Sequence, residues 1–203
     1  LAGKLAAVEP VEGAIEAFSN GATIGQVAAA SCKAEAPETV EAIAAHHWTE
    51  RYEALRFETE DYVKKTGKNV EVFLCNMGPI PQHKARADFS TSFLQVGEFN
   101  VHLNDGFQDG EDGDQYEKCL KAFKEGDYDV AVICSTDAPE IVPKLAPMIK
   151  AAMKPSATLF LAGAAPKDME QVYKDAGVDD FISVKANCFQ TLKMLQKKKG
   201  MIE

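Results

Sequence analysis

Beyond Thr66 the chain alternates short, densely apolar runs with longer segments in which apolar residues recur every third or fourth position. Val70 to Asn76, Phe99 to Leu103, Asp129 to Ser135, Ala157 to Gly163 and Asp179 to Val184 have strand length and are rich in β-branched and aromatic residues. Each is separated from the next by a stretch of helical length. The inward helix faces are predicted as Ala85, Phe89, Phe93 and Val96 in the first and Ile141, Leu145, Met148 and Ala152 in the third. In the fourth they are Met169, Val172, Tyr173 and Ala176, and in the last Phe189, Leu192 and Leu195. Gly97, Gly126 and Gly177 follow helices as C-terminal caps would. Pro147 falls inside the third helix and predicts a late start or a kink. Five βα units imply a flavodoxin-like α/β fold, a five-stranded parallel sheet with helices on both faces.

The segment before this alternation has a different period. Val11 to Lys65 is rich in Ala and Glu, with Trp48, Tyr52, Leu55 and Tyr62 at helical spacing, broken at Asn20–Gly21 and Ala36–Pro37. Residues 1–66 therefore read as a helical linker or docking arm of two or three helices, and residues 67–203 as the sheet domain. The opening LAGKLAAVEP has neither an initiator Met nor a long apolar signal core, which reads as a fragment of a longer polypeptide.

With 203 residues, 46% of them hydrophobic and 26% charged, and no apolar run near the roughly 18 residues of a membrane span, the chain reads as soluble and globular. A net charge of −9 opposes a nucleic-acid surface; the single basic run, Lys197 to Lys199, ends the last helix, where it complements the dipole. The five cysteines, Cys32, Cys75, Cys119, Cys134 and Cys188, contain no CxxC pair and suit buried free thiols in a reducing cytosol.

An open sheet of this kind binds ligands where the strand order reverses, between the first and third strands. The loops there are Asn76 to His83 and Ser135 to Pro139. A phosphate-accepting receiver would need clustered acids after the first strand, where Asn76 and Met77 stand. A flavin or mononucleotide site would need amide donors, which the two prolines of GPIPQ lack. His46 and His47 are adjacent and cannot share a helix face; His102 reads as a core or edge residue of the second strand. Glu98 to Glu117 carries seven acids and no Lys or Arg, without calcium-loop spacing, and reads as an exposed loop. Cys75 and Cys134 have no His spaced to activate a thiol nucleophile.

The order of elements, with GATIGQVAAA and RYEALRFETEDY in the arm and VEVFLCNMGPIPQHKAR at the first strand, resembles the C-terminal region of methylmalonyl-CoA mutase over nearly the whole chain. Within that family it is most similar to the small, non-catalytic subunit of the heterodimeric bacterial enzymes. Catalytic chains of the family carry DxHxxG after the first strand, whose His binds cobalt and whose Asp orients that His. Gly78 matches the Gly that precedes the motif, but Ile80 stands in the place of the Asp, Gln82 of the His and Ala85 of the Gly. Ser135 and Thr136 match a hydroxyl-bearing loop, Asp137 replaces an apolar residue, and Gly163 is followed by Ala164 instead of a second Gly. The resemblance thus implies a degenerate pocket lined by Gly78, Ile80, Gln82, His83, Ser135, Thr136 and Gly163, with no cofactor, metal or catalytic residue on this chain. It implies as partner a large mutase subunit that carries adenosylcobalamin and interconverts methylmalonyl-CoA and succinyl-CoA, in the cytoplasm, away from nucleic acid and membrane. The alternative is a corrinoid-binding domain that keeps cobalamin through His83 or with no protein ligand; otherwise His83, beside Lys84 and Arg86, reads as solvated surface.

Overall fold

The computed structural model describes residues 10–31, 40–111 and 113–202, so Cys32, Ala36–Pro37 and Asp112 lie outside the described residues. The chain divides into two compact units, Leu1–Ala45 and His46–Glu203. In the first, α1 (Pro10–Ser19) and α2 (Ile24–Ser31) follow one another. Thr23 and Gln26 cap α2 reciprocally: the Thr23 N–H donates to Gln26 Oε1 at 2.9 Å and the Gln26 N–H to Thr23 Oγ1 at 3.3 Å. Ala17 and Val27 are the buried apolar side chains of this pair.

The second unit runs α3 (Glu50–Thr66), β1 (Glu71–Asn76), α4 (Ile80–Gln95), β2 (Asn100–His102), α5 (Gln115–Lys124), β3 (Val130–Cys134), α6 (Ala138–Ala152), β4 (Thr158–Ala162), α7 (Glu170–Asp175), β5 (Asp180–Ile182) and α8 (Cys188–Lys199). All strand pairs are parallel, in the order β2-β1-β3-β4-β5, the flavodoxin-like order. Register sets Phe73 beside Ala131 and Ala131 beside Leu159. Strand pleating sends alternate side chains to opposite faces. Phe73, Cys75, Ala131, Ile133, Leu159 and Leu161 pack with α5, α6 and α7. Val72, Leu74, Val130, Val132, Phe160 and Ala162 pack with α3, α4 and α8. Each large apolar side chain buried in this way contributes about 1.5–3 kcal/mol. Among the described residues no helix is long and apolar enough to cross a membrane.

Within this unit α3 is fastened to α8 and to the turn after α4. Gln196 Nε2 donates to the Leu55 carbonyl at 2.7 Å and to Thr59 Oγ1 at 2.9 Å, and Thr59 Oγ1 donates to the Gly97 carbonyl at 2.9 Å. Leu55 is buried above these contacts, and Tyr52 meets Phe189 edge to face. Gly67 closes α3 in the left-handed conformation, its N–H on the Val63 carbonyl.

Three local expectations are corrected. The buried face of α4 is His83, Ala87, Ser90, Phe93 and Leu94, whereas Ala85 and Phe89 are exposed. A stripe that mixes His and Ser with apolar residues shifts the apparent apolar phase. The third βα helix, α6, does not start late: it spans Ala138–Ala152 with Pro143 and Pro147 inside. Pro139, Pro143 and Pro147 recur every fourth residue, and both interior prolines are exposed, so the carbonyls deprived of partners face water. Finally, neither Gly97 nor Gly126 has a positive φ; after α4 it is Glu98, at φ 62°, that turns left-handed.

At the amino edge of the sheet Asp129 ties three elements together. It accepts from the Glu71 N–H at 2.9 Å, from Lys199 Nζ at 2.6 Å and from Lys154 Nζ at 2.9 Å. Burial alone would raise its pKa, but the hydrogen bonds from Lys199, the Glu71 amide and Lys154 prevail and hold it below the ordinary value. A depressed folded-state pKa stabilises the fold above the unfolded value of about 3.9 and ceases to do so as pH falls through the folded value. Asp129→Asn is accordingly expected to lower the thermal midpoint at pH 7 and to flatten its decline below about pH 4. Circular dichroism melts across pH check this, and parallel curves for the two proteins would exclude the role.

Candidate functional site

At the carboxyl edge, β1 passes into α4 through a turn held by backbone hydrogen bonds. The Met77 N–H donates to the Cys134 carbonyl at 3.0 Å, the Phe107 N–H to the Asn76 carbonyl at 2.7 Å, and the Gly78 N–H to the Phe107 carbonyl at 2.9 Å. Gly78, at φ 81°, reverses the chain, and Pro79 and Pro81 lead into α4, where a missing N–H costs nothing. The loop after β3 is joined to this turn by the Thr136 N–H, which donates to the Gln82 carbonyl at 2.8 Å. Ser135 is buried and accepts from the Asp137 N–H at 3.1 Å. After β4, Gly163 has φ 115° and donates its N–H to the Ile182 carbonyl at 2.7 Å.

The Thr136–Gln82 bond brings the turn after β1 and the loop after β3 together at the carboxyl edge, where His83 and Ser135 are buried and Ile80 stands 59% exposed. His83 is the chief correction. It is not solvated surface: only 3% of it is exposed, and Nδ1 lies 3.0 Å from the Gly78 carbonyl. The tight turn at Gly78 points the first inward position of α4 at the sheet, and Gly106, at φ 92°, leaves room for the ring. A Cβ at Gly106 would come within 2.5 Å of His83 Cε1.

Sequence reading missed Arg86. From the next turn of α4 its Nη1 donates to the Ala162 carbonyl, so the guanidinium lies against Gly163, where any Cβ would run into it. The available signal was the stripe His83, Arg86, Ala87 and Ser90 at helical spacing, whose small members mark close approach to the sheet.

The remaining candidates are dispersed. His46 pairs with Glu50 at 3.1 Å and His47 with Glu53 at 3.8 Å, all exposed. His102 is at the sheet's edge, paired with Glu71 at 2.5 Å. In the acidic run, Asp114 caps α5 by accepting from the Tyr116 N–H at 2.7 Å. Among the described residues no group of three or more His, Cys, Asp or Glu side chains could hold a metal. A cleft of about 630 Å³ lies at the opposite edge around Lys154, Lys199, Glu71 and His102, where these charges are already paired, with one another or with Asp129. Cys75, Cys119 and Cys134 are buried. Burial pushes the Cys134 thiol up to about 12 and raises Cys75 well above its ordinary value.

No family model matches the chain. The methylmalonyl-CoA mutase small subunit of Porphyromonas gingivalis is 30% identical over 150 residues, 74% of this chain and 22% of that protein. A probable methylmalonyl-CoA mutase small subunit of Mycobacterium tuberculosis is 30% identical over 152 residues, covering 73% and 23%. That of Streptomyces virginiae is 31% identical over 132 residues, covering 64% and 20%. The chain is homologous to methylmalonyl-CoA mutase small subunits. It spans about a fifth of the length of these relatives. Among solved structures, a pilus-assembly-related protein of Burkholderia pseudomallei covers 66% of this chain and 92% of its own, at 13% identity and a TM-score of 0.42.

The crevice of this mutase-related domain does not fit a cobalamin. Gln82 occupies the position of the cobalt-binding His and folds back against Gly78. Ile80 cannot orient a ligand. His83, one residue on, is turned inward and engaged by a carbonyl. Against Gly163 the fold places the Arg86 guanidinium.

Two outcomes follow from this geometry. Arg86→Ala leaves the Ala162 carbonyl without its side-chain donor and is expected to cost about 1–3 kcal/mol in urea unfolding, with Arg86→Lys recovering part of the loss. Cys75, Cys119 and Cys134 should resist alkylation at pH 7.5 (roughly one unit below a free thiol's pKa) until the protein unfolds; rapid labelling of any of them in the native state, read by peptide mass spectrometry, would contradict their burial.

Proposed function

We propose that this chain is the C-terminal part of the small subunit of a methylmalonyl-CoA mutase. In this reading residues 1–66 act as a linker or docking arm and residues 67–203 as a cobalamin-domain-like module without cofactor. The subunit forms a cytoplasmic heterodimer with a large subunit, which holds adenosylcobalamin and interconverts methylmalonyl-CoA and succinyl-CoA. This chain performs no chemistry and contributes by supporting its partner. The observation that carries the reading is the combination of homology over three quarters of the chain with a crevice sealed by its own Gln82, His83 and Arg86. Retention of a corrinoid through His83 would require the imidazole to leave a site in which it is almost wholly buried.

The test is co-expression of the full polypeptide with the large mutase subunit. The two are expected to elute together at equal stoichiometry, with all adenosylcobalamin absorbance removed when the large subunit is omitted. Separate elution would overturn the subunit reading, and a coloured chain whose spectrum changes in His83→Ala would replace it with the corrinoid-binding one.

A further inference from the structure

The chain has six asparagines, and Asn20 alone is followed by a glycine. An asparagine side chain and the main-chain nitrogen of the next residue can close a five-membered ring, and the side chain of that next residue governs how readily they meet. Glycine presents none. Asn20 and Gly21 are exposed at the carboxyl end of α1, and no atom lies within 4 Å of the place a Gly21 Cβ would take. Their hydrogen bonds are those of a helix end: Asn20 Nδ2 donates to the Glu16 carbonyl at 2.8 Å and the Gly21 N–H to the Phe18 carbonyl at 2.9 Å. Both open whenever the last turn of the helix frays.

The other asparagines are held. Asn69 Oδ1 accepts from the Val70 N–H at 2.7 Å, so the nitrogen that would attack is engaged and belongs to a β-branched residue. Asn76 and Met77 are buried. Asn100 lies in β2 before Val101, its Nδ2 on Glu71 Oε2 at 2.8 Å. Asn104 donates to the Leu74 carbonyl at 2.8 Å, and Asn187 caps α8.

We propose that Asn20–Gly21 is a self-modification site, at which the side-chain amide is hydrolysed with water as co-reactant, independent of the mutase-subunit reading. The Gly21 nitrogen gives its proton to solvent base and bonds to Asn20 Cγ. The Cγ–Nδ2 bond breaks, and Nδ2 takes up one proton and leaves as ammonia. Water then opens the ring at either carbonyl, which yields aspartate or isoaspartate. One water is consumed, one ammonia is released, and nothing is oxidised or reduced. The product places a negative charge at the carboxyl end of α1, where the helix dipole disfavours it, on a chain that already carries −9. Isoaspartate also lengthens the main chain inside the turn closed by the Ala22 N–H on the Ala17 carbonyl at 2.9 Å, which loosens the link from α1 to α2.

The purified chain is held at mildly acidic and at alkaline pH, and its peptides are then separated and weighed by mass spectrometry. The Asn20 peptide is expected to move to the mass of the acid, faster at alkaline pH, as separable aspartate and isoaspartate forms. The peptides of the other asparagines should keep their mass. Ammonia release should match the Asn20 shift mole for mole and disappear in Asn20→Ser, and Gly21→Ala is expected to slow it severalfold. An unchanged Asn20 peptide, equal conversion at Asn69 or Asn104, or undiminished ammonia from Asn20→Ser would each overturn the proposal.

Discussion

The constraint on which the rest of the structure depends is the complete burial of the three central strands. Every residue of β3 and β4, and all of β1 except Glu71, is buried. Such strands have no solvent face and need cover on both sides. A parallel order supplies it, since each crossover must carry a helix back along the sheet. The same order sends every strand's carboxyl end to one edge, where the chain turns into the next helix. Where β1 and β3 diverge to opposite sides of the sheet, a crevice forms as a consequence of connectivity alone. The fold therefore provides a place for a ligand whatever the side chains are, and these decide whether it stays open.

Here they close it. A crevice at a strand-order reversal exposes carbonyl ends of strands that need partners. A bound ligand can supply them, or the protein can. In this chain the Thr136 amide satisfies the Gln82 carbonyl, the His83 imidazole meets the Gly78 carbonyl, and Arg86 reaches the Ala162 carbonyl. The three contacts join the turn after β1 to itself, to β3 and to β4 in succession. Widening the crevice would require these contacts to give way.

The sheet was legible because burial on both faces produces dense apolar runs: all five strands fall within their predicted spans, each lacking only terminal residues. The strand-order reversal between β1 and β3 was legible for the same reason. Side-chain direction in α4 was not. His83 sits between polar and basic neighbours and reads as solvated in a one-dimensional pattern, but the turn at Gly78 fixes the rotational phase of the helix, and the space above Gly106 comes from a residue beyond β2. Arg86 was hidden likewise, because its partner is 76 residues away. The two prolines inside α6 illustrate the opposite case. Pro147 suggests a late start or a kink, yet α6 begins at Ala138, and the inward stripe of Ile141, Val142, Leu145, Ala146 and Ile149 runs the length of one helix.

The two edges of the sheet differ in a way that burial alone does not explain. At the amino edge Asp129 has its two carboxylate oxygens met by Lys154, Lys199 and the Glu71 amide, and the edge is electrostatically complete. Around α4 it is not: of the seven buried side-chain polar atoms without a partner among the described residues, Asn76 Oδ1, Arg86 Nε, Ser90 Oγ and Thr91 Oγ1 all belong to this helix or to the strand end beneath it. Random imperfection of packing would scatter such atoms over both faces and both edges. Their concentration on one helix sets the surroundings of α4 apart from the amino edge. On one flank Arg86 turns that polarity inward and fills the crevice; on the other, at Asn76 and Thr91, nothing in the chain does.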